Sequence, residues 1–229
     1  MRKRRMARRF EGLDSEGVFT RIYEDNVWGM PSDGIRYNSG TGSRTQDIVG
    51  PYVEAVGEFL ASLGTKPDVV DLGCGDFSVG KRIRPFARRY VACDVVKPLI
   101  ADNLARCGNL DVDFRVLDMT SDTLPEGDVV TIRQVFQHLS NAQIQGVLPK
   151  LAEKYRYLIL TEHLPAGDFV PNLDKPAGPD TRIGLLIAGG APSGVVITEP
   201  PFSLKVTECR LLCQVEESGA VIRTNLYVL

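Results

Sequence analysis

Val69-Val70-Asp71-Leu72-Gly73-Cys74-Gly75-Asp76 is an apolar run that ends in Gly-x-Gly. A run of this kind reads as a strand buried on both faces. Glycine at the first position permits a sharp turn. At the second it lets a ligand approach the backbone with no Cβ in the way. Asp94 ends the next apolar run, 90–94, and lies 19 residues beyond Gly75. An acid there accepts hydrogen bonds from vicinal ribose hydroxyls. Strand, glycine turn, helix, strand and terminal acid together point to a nucleotide-like ligand.

Outward from this stretch, strands and helices alternate. On the N-terminal side, Ser43-Arg44-Thr45-Gln46 fits a capping box. Ile48, Tyr52, Val56, Phe59, Leu60 and Leu63 follow at helical spacing, and Gly64 stops them. Pro51 either begins that helix or kinks it. Downstream the pattern predicts a basic helix near 78–89 and a helix over 99–107. Strands follow at 112–117 and 128–133, and Ser140-Asn141-Ala142-Gln143 caps a helix to about 155. The fifth strand is 157–161, and 206–216 with 221–228 make a C-terminal antiparallel hairpin. The expectation is an α/β chain: a Rossmann-like, doubly wound, mostly parallel seven-stranded sheet. Residues 1–42 read as an arm and cap, and 43–229 as the binding domain with a Pro/Gly-rich insert at 165–202.

Two ligand classes use this layout. Dinucleotide enzymes usually carry Gly-x-Gly-x-x-Gly, because a helix N-terminus meets the pyrophosphate. Here Ser78 holds the third position and Asp76 stands inside the turn. An anion is unfavourable beside a pyrophosphate but suits a ligand carrying an ammonium and a sulfonium. Asp71 points the same way.

On these residues the chain resembles the class I S-adenosylmethionine-dependent methyltransferases over roughly 68–164. The turn with Asp71, Gly73, Cys74 and Gly75 looks like the family's first motif, which holds the methionine part of the cofactor. Asp94 matches the ribose-binding acid. Asp118, followed by Met119, matches the residue that meets the adenine amino group. Arg133-Gln134-Val135-Phe136-Gln137-His138-Leu139 resembles the segment lining cofactor and substrate. Phe77 stands where the family's third glycine usually does. The resemblance implies S-adenosyl-L-methionine as cofactor and methyl transfer by alignment of reactants.

An acceptor that must lose a proton needs a nearby base, and His138 and His163 are the candidates. Both equally fit capping or packing roles. Trp28 either closes over the cofactor and substrate or packs in the core. The 165–202 segment holds seven prolines and six glycines. It reads as a substrate lid with Asp168, Asp180 and Arg182 as polar contacts, or as a solvated loop. After the fourth strand there is no Asn/Asp-Pro-Pro-Tyr/Phe motif, and no Pro-Cys pair, which disfavours DNA bases as acceptors.

With 229 residues, 43% hydrophobic and 24% charged, the composition is that of a globular protein. No apolar run is long enough to span a membrane. Six of the 27 basic residues fall within the first nine positions, and without them 21 face 29 acidic residues, about −8. An acidic body repels phosphate backbones unless its basic residues cluster, whereas the basic terminus is either a nucleic-acid or anionic-lipid arm or a frayed end. Cys74, Cys93, Cys107, Cys209 and Cys213 show no metal-ligand spacing and read as small core hydrophobes in a reducing cytoplasm. The expectation is a cytoplasmic methyltransferase acting on a small-molecule or glycan-like acceptor. An RNA methyltransferase, a non-catalytic cofactor-binding subunit and a nucleotide-dependent oxidoreductase are the rivals.

Overall fold

The computed structural model describes residues 10, 12–31, 34–183 and 191–229. The arginine-rich stretch before Phe10 lies outside the described residues. Seven strands form one sheet: β1 (Asp68–Leu72), β2 (Arg89–Asp94), β3 (Asp113–Val116), β4 (Val129–Arg133), β5 (Tyr157–Pro165), β6 (Glu208–Glu217) and β7 (Ala220–Val228). Their order is β3-β2-β1-β4-β5-β7-β6. The first five run parallel, and β7 is antiparallel to both β5 and β6. The chain reverses direction across the sheet between β1 and β4, and that switch point opens a crevice at the strands' C-terminal ends.

Alternation along each strand sorts the core into two layers. Val70, Val91, Val130 and Leu158 face one side and pack with Ile144, Val147 and Leu151 of helix α5 (Asn141–Lys154). Val69, Tyr90, Val129 and Ile159 face the other and meet Tyr52, Val56 and Leu60 of helix α2 (Gln46–Ser62). Each such fully buried side chain contributes roughly 1.5–3 kcal/mol. The sheet is thus covered on both faces, as the unbroken apolar runs require.

Other helices are α1 (Ser15–Glu24), α3 (Gly80–Ile83) and α4 (Lys97–Cys107). The expected basic helix over 78–89 is a single turn, α3, followed by a 3-10 turn at Arg84–Phe86. Pro85 is the reason: its ring and missing N–H end the α-helical pattern. The capping box at Ser43–Gln46 is likewise absent, since α2 starts after Thr45 with no side-chain cap. Pro51 lies inside α2 rather than beginning it. The box at Ser140 is present in full, with Gln143 returning the bond. Between β5 and β6 the described residues form no helix or strand. All five cysteines are free, and Cys209 is exposed on edge strand β6 rather than in the core.

Candidate cofactor and acceptor site

A cavity of about 260 Å³ opens at the C-terminal ends of β1, β2 and β4. The turn after β1 forms its floor. Gly73 and Gly75 have φ of +79° and +55°. A Cβ on Gly73 would lie 2.5 Å from Val135 Cγ2, and one on Gly75 2.5 Å from Ser39 Oγ. Both backbone conformation and space therefore demand glycine. The Gly73 and Cys74 amides donate to the Cys93 carbonyl at 2.8 and 2.9 Å. Asn103 Nδ2 donates to the Gly75 carbonyl at 2.7 Å.

Phe77 takes φ of +60°, the conformation a glycine would supply. Its ring is fully buried and meets Phe114 and Tyr90 edge-on, centroids 4.9 and 5.8 Å apart. Strain of about 1–2 kcal/mol is offset by burying an aromatic ring.

Asp71, next to last in β1, has both carboxylate oxygens engaged, by Thr131 Oγ1 at 3.0 Å and the Tyr90 hydroxyl at 2.9 Å. Burial pushes its carboxyl up to about 6, against the pull of these donors. Asp94 at the end of β2 accepts the Gly75 amide through Oδ2 at 3.0 Å and the Val96 amide through Oδ1 at 3.1 Å. Burial again raises it to about 6. Asp118, after β3, accepts the Thr120 amide and hydroxyl on Oδ1 at 2.8 and 2.7 Å. Lys150 Nζ holds that loop by donating to the carbonyls of Met119, Thr120 and Asp122. Cys74, Asp94, Asp118, Met119, Arg133 and Gln134 all line the cavity.

Arg133 donates to the Gly42 carbonyl at 2.7 Å and to Gln134 Oε1 at 3.1 Å, with its guanidinium 5.0 Å from the Tyr52 ring centroid. Its Nε is buried without a hydrogen-bond partner. Gln134 has φ of +55° and its amide donates to the Thr161 carbonyl at 2.7 Å.

Asp76 has a role that the sequence left unread. Its Oδ2 accepts the Ser39 amide at 3.1 Å and Arg44 Nη2 at 3.3 Å, and its own amide donates to Ser39 Oγ at 2.8 Å. Ser39 Oγ also meets the Tyr23 hydroxyl of α1 at 2.9 Å. The turn residue thus clasps the 39–44 strap, which lines the cavity.

His138 lies in a 3-10 turn after β4 and lines the cavity. Its ring centroid is 4.9 Å from that of Trp28, which also lines it. Nδ1 faces the Gly178 carbonyl at 3.2 Å, so the ring proton sits on Nδ1. Nε2 accepts from Gln137 Nε2 at 3.2 Å. Burial first, and then the Lys175 charge, push the imidazole down to about 3. His138 is therefore neutral, with both nitrogens engaged.

His163 and Arg182 fall elsewhere. His163 Nε2 lies 3.3 Å from Glu217 Oε2 beside the hairpin and does not line the cavity. It is paired with Ile222 in β5, and its Nε2 also lies 3.4 Å from the Glu217 carbonyl. Arg182 is buried to 1% exposure. It donates to the carbonyls of Leu173, Phe136 and Leu139 and to Asn141 Oδ1 at 2.8–3.1 Å. It pins the insert under the post-β4 segment and offers no polar contact to the cavity, whereas Pro179 and Thr181 beside it do line the wall. Asp168 and Asp180 are exposed and do not line it.

No family model and no curated protein matches the chain. Solved structures do match it. The N-methyltransferase NodS from Bradyrhizobium japonicum, in complex with S-adenosyl-L-homocysteine, aligns at TM-score 0.62 and 10% identity, over 92% of this chain and 98% of its own. Magnesium protoporphyrin IX methyltransferase from Synechocystis PCC 6803, with bound S-adenosylmethionine, aligns at 0.61 and 15%, over 95% and 98%. The N-terminal domain of EvdMO1, crystallised with S-adenosylhomocysteine and D-fucose, aligns at 0.57 and 15%, over 100% and 97%. With its sheet order, glycine turn and reversed last strand, the chain has the fold of the class I S-adenosylmethionine-dependent methyltransferases.

Proposed function

We propose that the chain is an S-adenosylmethionine-dependent methyltransferase acting on a small molecule. The carrying observation is the cavity at the switch point, where the glycine turn, Asp94, Asp118 and Arg133 converge. The residues fit the cofactor. The glycine cradle has space that a Cβ would fill, and the buried, partnerless Nε of Arg133 suits a carboxylate. Asp94 suits vicinal ribose hydroxyls, and Asp118 with Met119 suits an adenine edge and face.

Bound S-adenosylmethionine supplies an electrophilic methyl on a sulfonium. The chain's part is alignment: the turn and Arg133 hold the methionine end while the post-β4 segment presents the acceptor, and such alignment alone accelerates a bimolecular step by several kcal/mol. No described histidine acts as a base in this reading, because His138 is neutral and engaged and His163 lies away. Five free cysteines fit a reducing, cytoplasmic setting. Calorimetric titration with S-adenosylhomocysteine, with NAD as control, tests the assignment. Micromolar binding of the first alone supports it, and preferential NAD binding overturns it.

A further inference from the structure

The sheet order gives the cavity two ends. Asp118 follows β3, and Asp94, Asp71 and Arg133 stand at the C-terminal ends of β2, β1 and β4, so among the described residues every charged group lining the cavity belongs to the half that suits the cofactor, Asp76 of the glycine turn included. The other half is walled by Phe19, Trp28, Leu139 and Pro179, with the His138 ring laid against Trp28. Among the described residues no formal charge lines it. Besides His138, three polar side chains do, and each already has a partner. Ser15 Oγ accepts from Gln143, Gln137 bonds His138 and the His163 amide, and Thr181 Oγ1 donates to the Ile183 carbonyl.

Resting on the methyltransferase reading above, we propose that this half is an acceptor subsite for an uncharged aromatic molecule bearing a single reactive hydroxyl, a simple phenol. A flat apolar face matches Trp28 and Phe19, where ring stacking adds affinity beyond the area buried. The free valences at the wall are one Gln137 amide hydrogen, the Ser15 hydroxyl hydrogen and the lone pairs of Thr181. They serve one hydroxyl. A hexopyranoside would bring a ring of hydroxyls and leave most of them stripped of water without replacement, each at a cost. A carboxylate or ammonium acceptor would meet no counter-charge.

The step balances without a protein base. The phenol gives its proton to water, the phenolate lone pair forms the O–C bond, and the breaking C–S bond leaves its electron pair on sulfur as a neutral thioether.

Trp28 is the chain's single tryptophan, so its fluorescence reports this wall, and saturation with S-adenosylhomocysteine beforehand fixes the signal from the neighbouring Tyr23 and the strap. The test titrates p-cresol, then methyl glucoside, into protein saturated with S-adenosylhomocysteine. Saturable quenching by p-cresol, with none by the glucoside, is the expected result. Trp28→Leu cannot report by fluorescence, so calorimetry follows it, with p-cresol affinity falling at least tenfold and S-adenosylhomocysteine affinity holding. Saturation by the glucoside alone, or by neither probe, overturns the proposal. Failure of S-adenosylhomocysteine to bind at all overturns the methyltransferase reading instead. With p-cresol and 4-nitrophenol as acceptors, the pH profile of kcat/KM follows each phenol's own ionisation. A profile fixed by the protein for both acceptors contradicts the absence of a base.

Discussion

The side chain of Asp94, the last residue of β2, accepts the backbone amide of Gly75 at 3.0 Å. One carboxylate therefore both shapes the glycine turn and faces the cavity. Replacing it by alanine removes the turn's brace together with the proposed acceptor for a ribose. S-adenosylhomocysteine affinity is expected to fall by roughly 1.5–3 kcal/mol per charged bond lost, about tenfold or more. Unchanged affinity in calorimetry would place the ribose elsewhere.

The same residue sets a pH dependence. Burial lifts the carboxyls of Asp94 and Asp71 to about 6, and ligand hydroxyls favour the ionised acceptor. Affinity should therefore weaken as pH falls through about 6. In Asp94→Asn that bend should shrink to the part due to Asp71. An identical profile in both proteins would exclude Asp94 as its source.

Gly73 is held by Val135 as much as by its own backbone. In Gly73→Ala the new Cβ meets Val135 Cγ2 at 2.5 Å, and φ of +79° adds about 1–2 kcal/mol. The single variant should lose S-adenosylhomocysteine binding. Combining it with Val135→Ala removes the contact but not the backbone cost, so binding should return in part. Full loss in the double variant would make the backbone the sole constraint.

Glu162 gives a stability signature. It is 3% exposed, with Oε1 on the Phe136 amide and Oε2 without a partner. Burial raises its carboxyl to about 8, against the opposing Arg182 charge. A folded value above the unfolded one, about 4.3, means that the folded state holds the extra proton. Stability is then greatest at low pH and is lost as pH rises through about 8. His138 opposes this only below about pH 6.5, since its depressed value favours folding as pH rises there. Lys175, lowered to about 8, opposes it only above that pH. Between about pH 6.5 and 8 the melting temperature should therefore decline, and Glu162→Gln should flatten the decline, gaining about 1–2 kcal/mol at pH 8. A slope unaltered by the substitution would remove Glu162 from the account.

The strap gives a fifth prediction. Asp76→Ala removes at once the acceptor of the Ser39 amide, the acceptor of the Ser78 amide and one of the contacts of Arg44, which still donates to the Tyr37 carbonyl. Tryptic cleavage at Arg44 should accelerate while the sheet remains folded by circular dichroism. Cleavage at the unaltered rate would show that other contacts hold the strap.

The parallel sheet was readable because Val69, Val70, Val129 and Val130 sit in runs that only a two-sided core explains. The turn was readable because glycine there answers a backbone need that sequence displays directly. Asp76, Glu162 and Arg182 were not readable. Asp76 bonds Ser39, 37 residues away, Glu162 bonds Phe136, 26 away, and Arg182 bonds Phe136 and Leu139, more than 40 away, and a long-range bond between a side chain and a backbone group leaves no periodicity. His163 misled because a position at the end of β5 says which strand carries a residue, not which way the side chain turns. Phe77 hid its strain, since a phenylalanine in a left-handed conformation is visible only once the rings of Tyr90 and Phe114 are in place.

Ser39 joins three parts of the molecule: α1 through the Tyr23 hydroxyl, the strap it belongs to, and the glycine turn through Asp76. Under the methyltransferase reading proposed above, a nucleoside held beneath the strap would leave only when those bonds part together, although each alone is worth about 0.5–1.5 kcal/mol. In that reading the strap would govern residence time as well as affinity, and departure of the demethylated product is the expected slow step, with the first round of transfer running ahead of the steady rate as a burst in rapid-quench kinetics.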